Sequence, residues 1–255
     1  MLKFIPNLIT SLNLLCGCIA VISIVLNEPI AAVIFMFLGI FFDFFDGLAA
    51  RALKVTSEVG VQLDSLADVI TSGLVPGLLM VHLMTNAVVG LGIADYFGLL
   101  FYTVPLPGVP EDVGFKWLPL LGLMIVVASA YRLAKFNIDA RQKTGFIGVP
   151  TPANAIFIAS LVIITQDLSP AWAVNALYTD WVLILITVVS SLMLNAELPL
   201  FSLKFKTLSI KENLHIYLFL LASLAGLIIF KFIAIPFVII GYVLVSLVKN
   251  TISKP

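Results

Sequence analysis

The 255-residue sequence predicts an all-α fold, a polytopic integral membrane bundle of about eight transmembrane helices. Three observations predict it. Apolar residues make up 61% of the chain, about 155 in all, and charged residues only 11%, whereas a soluble domain carries roughly a quarter charged residues and under half apolar. The apolar residues fall in long runs rather than in the alternation a membrane barrel needs. A transmembrane helix consumes roughly 20 apolar residues, so the supply covers roughly seven or eight spans and leaves little for an extramembrane domain. The same figures exclude a soluble globular fold and a disordered chain. Fourteen basic and fourteen acidic residues give a net charge of zero, which argues against a nucleic-acid partner.

The spans follow from Pro, Gly and charge punctuation. Span one covers about 8–26 and is closed by Asn27, Glu28 and Pro29. It is preceded by one Lys and followed by no small-residue cleavage pattern, so it reads as a span and not as a cleaved signal peptide. Cys16 and Cys18 lie within it, on different helix faces, and read as packing residues. Span two covers about 30–50, and span three about 61–83 with Pro76 inside it. The Gly- and Pro-rich stretch 86–114 reads as a long interfacial loop with a half-helix near 96–104. Span four covers about 117–136, span five a short 152–165, span six 181–195, span seven 214–230 and span eight 233–248.

Eight spans place both termini on one side. That side then carries Lys3, Arg51, Lys54, Arg132, Lys135, Arg141, Lys143, Lys204, Lys206, Lys211, Lys249 and Lys254, which is 12 of the 14 cations. The other side keeps Lys116 and Lys231 beside Glu28, Asp95, Glu111, Asp112, Asp167 and Asp180. By the positive-inside rule the termini are expected to be cytoplasmic.

Four carboxylates stand where lipid would exclude them. Asp43 and Asp46 are three apart in span two, and Asp64 and Asp68 four apart in span three, so each pair shares a helix face. Asp46 lies nine residues before Val55 and Asp64 nine after; Asp43 lies twelve before and Asp68 thirteen after. At 1.5 Å of rise per residue, antiparallel helices bring the pairs to matching depths. Converging anions require protons or cations, and oxygen-only ligation favours a hard divalent ion. His82 and His215 are remote and read as structural. Between the pairs, Gly47, Ala49 and Ala50 permit close approach, Arg51 offers a forked cation, and Gly60 opens the next helix without a side chain, a combination suited to a diphosphate.

The pattern Asp43-x2-Asp46-Gly47-x2-Ala50-Arg51-x8-Gly60-x3-Asp64-x3-Asp68 resembles the signature of the CDP-alcohol phosphotransferase family at each of its eight fixed positions. The resemblance implies transfer of a phosphatidyl or related group from a CDP-linked donor to an alcohol, with release of CMP. It implies that Asp43, Asp46, Asp64 and Asp68 hold divalent metal, Mg2+ or Mn2+ as two ions, with Asp68 also the general base. Gly47, Ala50 and Gly60 would face the nucleotide and Arg51 the donor phosphate. It further implies a six-helix core, residues 1–200, followed by two additional helices in 201–255.

Other stretches suggest the acceptor. The opening Ile5-Pro6-Asn7-Leu8-Ile9-Thr10 with Asn13-Leu14-Leu15-Cys16-Gly17 resembles that of bacterial and archaeal phosphatidylserine synthases, as do Tyr131-Arg132-Leu133-Ala134-Lys135-Phe136-Asn137 and Phe146-Ile147-Gly148-Val149-Pro150-Thr151-Pro152. In the pattern that this stretch resembles, Arg is common where this chain has Lys135. The likeness implies CDP-diacylglycerol and L-serine as substrates in a bacterial or archaeal cell membrane, with the site on the cytoplasmic face. Asn7, Thr10 and Asn13 become candidates for touching the CDP donor. Arg132 and Lys135, three apart on one helix face, become candidates for the serine carboxylate or a lipid phosphate, and snorkelling anchors are the alternative. Arg141 and Lys143 read as topology determinants, and spans seven and eight as contacts of a homodimer. Two other readings stay open: the same chemistry on glycerol 3-phosphate or inositol phosphate, and a cation transporter. A transporter predicts acidic residues along a path or an inverted repeat, whereas all four Asp residues sit in one hairpin beside Arg51.

Overall fold

The computed structural model describes residues 4–55, 57–101, 115–139, 146–166, 169–200 and 210–252. Lys3, Arg141, Lys143, Lys204, Lys206, Lys254, Glu111, Asp112 and Asp167, all used above to read topology, lie outside the described residues, as do the side chains of Lys211, His215 and Lys249. Helices occupy the residues of all eight expected spans, and among the described residues five helical segments are long and apolar enough to cross a bilayer.

Helix α1 (Phe4–Val25) runs antiparallel to α2 (Pro29–Ala52). The turn between them is set by Asn27 at φ 61°, with Glu28 N–H donating to the Ser23 carbonyl and Asn27 N–H to that of Ile24. This left-handed closure consumes the carbonyls of the last turn of α1, and Pro29 then starts α2 where its missing N–H costs nothing. The same device ends α2. Lys54 sits at φ 52°, Val55 N–H donates to the Ala50 carbonyl and Lys54 N–H to that of Arg51.

Span three is one continuous helical segment, Glu58–Val88. It comprises α3 (Glu58–Asp68), a π-helical stretch (Val69–Leu74) and α4 (Val75–Val88). Pro76 explains the π stretch. Its ring and missing N–H are incompatible with a regular turn on its N-terminal side, and a π-bulge absorbs the mismatch without breaking the rod.

Part of the expected loop 86–114 is helical: α4 continues to Val88, and α5 (Ile93–Phe101) follows. Tyr96 of α5 is buried, stacks on Phe115 at 5.0 Å and donates its hydroxyl to the Lys116 carbonyl. The remainder of that loop, 102–114, and the end of the expected half-helix lie outside the described residues.

Span four begins as a 3₁₀ turn (Leu118–Leu123) and continues as α6 (Met124–Ile138). Helices α7 (Thr151–Gln166), α8 (Ala171–Leu177) and α9 (Asp180–Asn195) follow. A two-residue antiparallel ladder pairs β1 (Phe146–Ile147) with β2 (Pro199–Leu200) and ties the entry of α7 to the exit of α9. Gly148 beside it has φ +74°, and a Cβ there would stand 2.6 Å from the Leu194 carbonyl oxygen, so the connection requires glycine. Helices α10 (Ile210–Phe230) and α11 (Ala234–Ile252) are separated by Lys231 at φ 51° and fold back on each other. The Phe219 and Tyr242 rings meet at 5.9 Å.

Burial is inverted relative to a soluble protein. The interior holds Met36, Val75, Leu79, Met80, Met84, Ile125, Ile158 and Leu183 with Thr71, Ser129, Ser160 and Thr187, while Leu15, Ile34, Phe41, Phe44, Leu192 and Ile228 face outward. Lipid tails solvate such a surface, so helices associate through close packing of small residues rather than through hydrophobic exclusion. The chain is an integral membrane protein on this basis. Cys16 is buried and Cys18 exposed, both as free thiols.

The backbones of α4 and the start of span four approach closely. A Cβ on Gly122 would lie 2.7 Å from Val81 N and 3.0 Å from the Gly77 carbonyl oxygen. We predict that Gly122→Ala forces these backbones apart at a cost of about 1–3 kcal/mol. A clear fall in the thermal midpoint of detergent-solubilised protein is the expected reading, and an unchanged midpoint would refute the close-packing account.

Candidate active site

The hairpin between α2 and α3 carries the acidic cluster, and α1 supplies its third wall. Carboxylate oxygens of Asp43, Asp46 and Asp64 lie within 4.8 Å of one another. The Asp43 and Asp64 carboxyl groups are in hydrogen-bonding contact. At such separations two like charges repel by about 3–4 kcal/mol per pair at an effective dielectric constant of about 20. Three short, oxygen-only ligands converging from two helices fit a hard divalent cation, which would relieve the repulsion.

Helix α1 orients the carboxylates. Thr10 Oγ1 lies 2.6 Å from Asp46 Oδ2 and 3.0 Å from the Pro6 carbonyl oxygen, two acceptors that share its single proton. Thr10 is buried, so Asp46 is held by a fixed donor. Asn13 is fully buried one turn deeper, and its Nδ2 donates to Asp68 Oδ1 at 3.4 Å. Asp68 stands apart from the triad. It is buried at the end of α3, with Arg132 of α6 as its cationic neighbour. Arg132 is itself 7% exposed, its Nε has no partner among the described residues, and its guanidinium lies 5.9 Å from the centre of the Phe136 ring.

Above the triad is a cavity of about 140 Å3, lined by Asn7 and Thr10 from α1, Asp46, Gly47 and Ala50 from α2, and Ser57, Gly60 and Asp64 around the start of α3. Ser57 caps α3, its Oγ accepting from Gly60 N–H at 2.9 Å. Gly60 has a steric reason to be glycine. A Cβ there would stand 2.8 Å from both Asn7 Oδ1 and Ser57 Oγ. At Gly47 the missing side chain makes room for Arg51, whose Nη1 lies 3.3 Å from where a Cβ would be. Arg51 thus folds back along α2 toward Gly47, near Asp46.

The structure therefore brings Asn7, Thr10, Asp46, Gly47, Ala50, Gly60 and Asp64 to one cavity, with Asp43 beside it and Arg51 folded toward Gly47 of its wall. Asn13 is placed below the cavity, against Asp68. Lys135 is drawn to the side, where its Nζ meets Glu197 Oε1 at 3.1 Å. The sequence reading missed Ser57 and Glu197. Ser57 carries a local signal, a serine three residues before Gly60 at the start of an apolar run; Glu197 is 62 residues from Lys135 and carries none.

A carboxylate triad beneath a cavity walled by Gly47, Ala50 and Gly60, set in membrane-spanning helices, has the features expected of a membrane-embedded phosphotransferase. The chain is a member of the CDP-alcohol phosphatidyltransferase family, whose model matches residues 3–193. It is 34% identical over 151 residues to the CDP-diacylglycerol–serine O-phosphatidyltransferase of Bacillus subtilis, covering 59% of this chain and 71% of that protein. It is 24% identical over 206 residues to the enzyme of the same name from Mycobacterium leprae, covering 78% of this chain and 58% of that protein. It is 27% identical over 162 residues to the archaetidylserine synthase of Methanothermobacter thermautotrophicus, covering 61% of this chain and 56% of that protein. The chain thus spans somewhat more than half the length of the last two.

We predict that Thr10→Val, which removes the proton that fixes Asp46, weakens Mn2+ binding about 10- to 100-fold, the usual effect of losing an outer-shell partner. Calorimetric titration of the detergent-solubilised protein reads this directly. Unchanged affinity would show that Thr10 does not orient a metal ligand.

Proposed function

We propose that this protein is a CDP-diacylglycerol–serine O-phosphatidyltransferase that forms phosphatidylserine and CMP at the cytoplasmic face of a bacterial or archaeal cell membrane. The observation that carries the reading is the convergence of six of the eight signature positions, Asp43, Asp46, Gly47, Ala50, Gly60 and Asp64, on one cavity and its carboxylate floor. The names of the relatives support the acceptor. In this reading residues 1–200 form the catalytic core, and 201–255 add two helices that serve a homodimer.

Asp43, Asp46 and Asp64, with Asp68 adjoining, would hold Mg2+ or Mn2+, as two ions. When bound, the metal supplies positive charge to the donor diphosphate and to the departing CMP. The chain's own residues do the rest. Arg51 beside Gly47 binds donor phosphate, and the Asn7, Gly47, Ala50 and Gly60 walls admit the nucleotide. Asp68 accepts the proton of the serine hydroxyl as its oxygen attacks the phosphatidyl phosphorus. A new P–O bond forms to serine, the P–O bond to CMP breaks, and CMP leaves with that electron pair. Direct displacement suffices, because no Cys, His or Ser touches the triad as a covalent nucleophile among the described residues.

Arg132 gives this reading its acceptor. It is the buried cation beside Asp68, and its Nε lacks a partner among the described residues. Lys135, the other cation of that helix, is paired with Glu197. A single buried guanidinium matches the single carboxylate of serine better than the dianionic phosphate of glycerol 3-phosphate or inositol phosphate.

Membranes containing the protein, given CDP-diacylglycerol and an equimolar mixture of the three alcohols, are expected to yield phosphatidylserine. A phosphatidylglycerol phosphate or phosphatidylinositol phosphate product would transfer the assignment to that acceptor. Chelation should abolish the activity and Mg2+ or Mn2+ restore it. Asp68→Asn is expected to lower turnover about 10²- to 10⁴-fold, and full activity in that variant removes Asp68 as the base. Arg132→Lys should raise the KM for serine about tenfold, the factor for about 1.4 kcal/mol of bidentate recognition. The KM for the donor should stay unchanged, and an equal rise in both would assign Arg132 to the donor instead.

A further inference from the structure

The proposed base, Asp68, takes its hydrogen bond from α1 rather than from its own helix. Among the described residues the side chain that donates to it is Asn13, whose Nδ2 lies 3.4 Å from Asp68 Oδ1. That distance is long, as hydrogen bonds at catalytic groups often are before substrate binds. Its aim therefore depends on what fixes Asn13. Asn13 is wholly buried, and its Oδ1 has no hydrogen-bond partner among the described residues. That oxygen lies 3.0 Å from where a Cβ on Gly39 would be. With no bond on its oxygen, the amide is aimed by the stretch of α1 backbone that carries it.

Thr71 grips that backbone. Hydroxyls in helices commonly return their proton to a carbonyl three or four residues back in the same helix. Ser11, Ser23, Ser65, Thr85, Thr165 and Thr187 do so in this protein. Thr71 instead donates across to α1, its Oγ1 lying 3.2 Å from the Asn13 carbonyl oxygen. It lies three residues after Asp68, in the π-helical stretch, where the α register that would supply a carbonyl of its own helix is interrupted. One residue of α1 is thus held twice by one segment of span three, through its side chain at Asp68 and through its carbonyl at Thr71.

The bond to Thr71 is not needed to satisfy the Asn13 carbonyl. Asn13 lies well inside α1 (Phe4–Val25), so its carbonyl already serves the helix ladder. What the extra bond adds is a fixed register between α1 and span three at the level of Asp68. Thr71 is wholly buried and does not line the cavity, so any effect on the reaction passes through its neighbours. It is also seated on both sides: a Cβ on Gly17 would stand 2.5 Å from its Oγ1, and one on Gly39 2.6 Å from its Cγ2.

We propose that Thr71 is a positioning residue for the phosphatidyl transfer. Its hydroxyl fixes Asn13, and Asn13 aims the Asp68 carboxylate at the acceptor hydroxyl. This role rests on the reading of Asp68 as the base and is independent of which alcohol accepts.

The test is a double-mutant cycle on the full chain purified in detergent, assayed with radiolabelled CDP-diacylglycerol so that slow turnover is measurable. Thr71→Val keeps the shape and removes the hydroxyl. It is expected to lower kcat about tenfold, within the roughly 10²-fold that a displacement of about 1 Å can cost, with the KM values for donor and acceptor unchanged. Thr71→Ser keeps the hydroxyl and should recover most of the wild-type kcat. In an Asp68→Asn background Thr71→Val should have no further effect, because the group it positions is gone. A loss that repeats in full in that background overturns the proposal. So do equal losses in Thr71→Val and Thr71→Ser, which would mark the side chain as packing alone. Should Thr71→Val not fold, Asn13→Ala cuts the same relay one step nearer Asp68 and meets the same comparison of backgrounds. Full activity of Asp68→Asn by itself is the separate result that removes the base, and the role of Thr71 falls with it.

Discussion

Everything near the site follows from one electrostatic constraint. Three carboxylates cannot share a volume with oxygens within 4.8 Å of each other, inside helices that cross a bilayer, unless positive charge joins them. The fold answers this constraint on three sides. Thr10 fixes Asp46, Asn13 donates to Asp68, Arg132 is the cation near Asp68, and Arg51 folds back toward Gly47. Each of these partners comes from a different turn of the bundle. The acidic hairpin is therefore incomplete without α1 and α6, and the site is a property of the packed helices rather than of the signature alone.

Packing of that kind needs backbones that approach closely, and the bilayer supplies no hydrophobic force to bring them together. Just beneath the aspartates, Thr71 of the π-helical stretch wedges between α1 and α2. A Cβ on Gly17 would lie 2.5 Å from Thr71 Oγ1, and one on Gly39 would lie 2.6 Å from Thr71 Cγ2. Thr71 Oγ1 also donates to the Asn13 carbonyl oxygen at 3.2 Å, and Asn13 is the residue that reaches Asp68. Three helices are thus locked at one level by two glycines and one hydroxyl. The π-bulge that Pro76 imposes sits at that level, so a backbone irregularity and the position of Asp68 are linked through a single contact layer.

The spans and the acidic cluster were legible in the sequence for different reasons. Composition alone forced the helices, and Asp43, Asp46, Asp64 and Asp68 stood out because lipid makes carboxylates rare. Matching distances from Val55 then placed the pairs at one depth without knowledge of the fold. What stayed hidden were partners chosen across the bundle. Nothing at Thr10 or Asn13 says which of four carboxylates each will meet, because that depends on the rotation of α1 about its axis. Lys135 looked equivalent to Arg132 by helical spacing. It differs because Glu197 arrives beside it from the exit of α9, leaving Arg132 as the buried cation among the described residues. The π stretch was likewise unreadable. Pro76 announced an irregularity, and packing decided that it would be absorbed rather than become a kink.

Depth connects the site to the reaction proposed for it. Asp46 lies six residues before the end of α2 and Asp64 six after the start of α3, which puts both about 9 Å below the helix ends. Asp43 and Asp68 lie about 14–15 Å below them by the same measure. A phosphoryl group between these levels sits under the headgroup layer, reached by water-soluble reactants through the cavity between Asn7 and Ser57. In the proposed reaction a lipid-linked donor would need no extraction at this depth, because its acyl chains would stay among the outward-facing Phe and Leu side chains while its diphosphate met the triad. A site at the helix ends would expose the phosphoryl group to hydrolysis by bulk water, and one at the bilayer centre would strand a polar acceptor. The spacing of the aspartates along their helices thus sets the one depth at which a polar alcohol and a lipid anchor can meet.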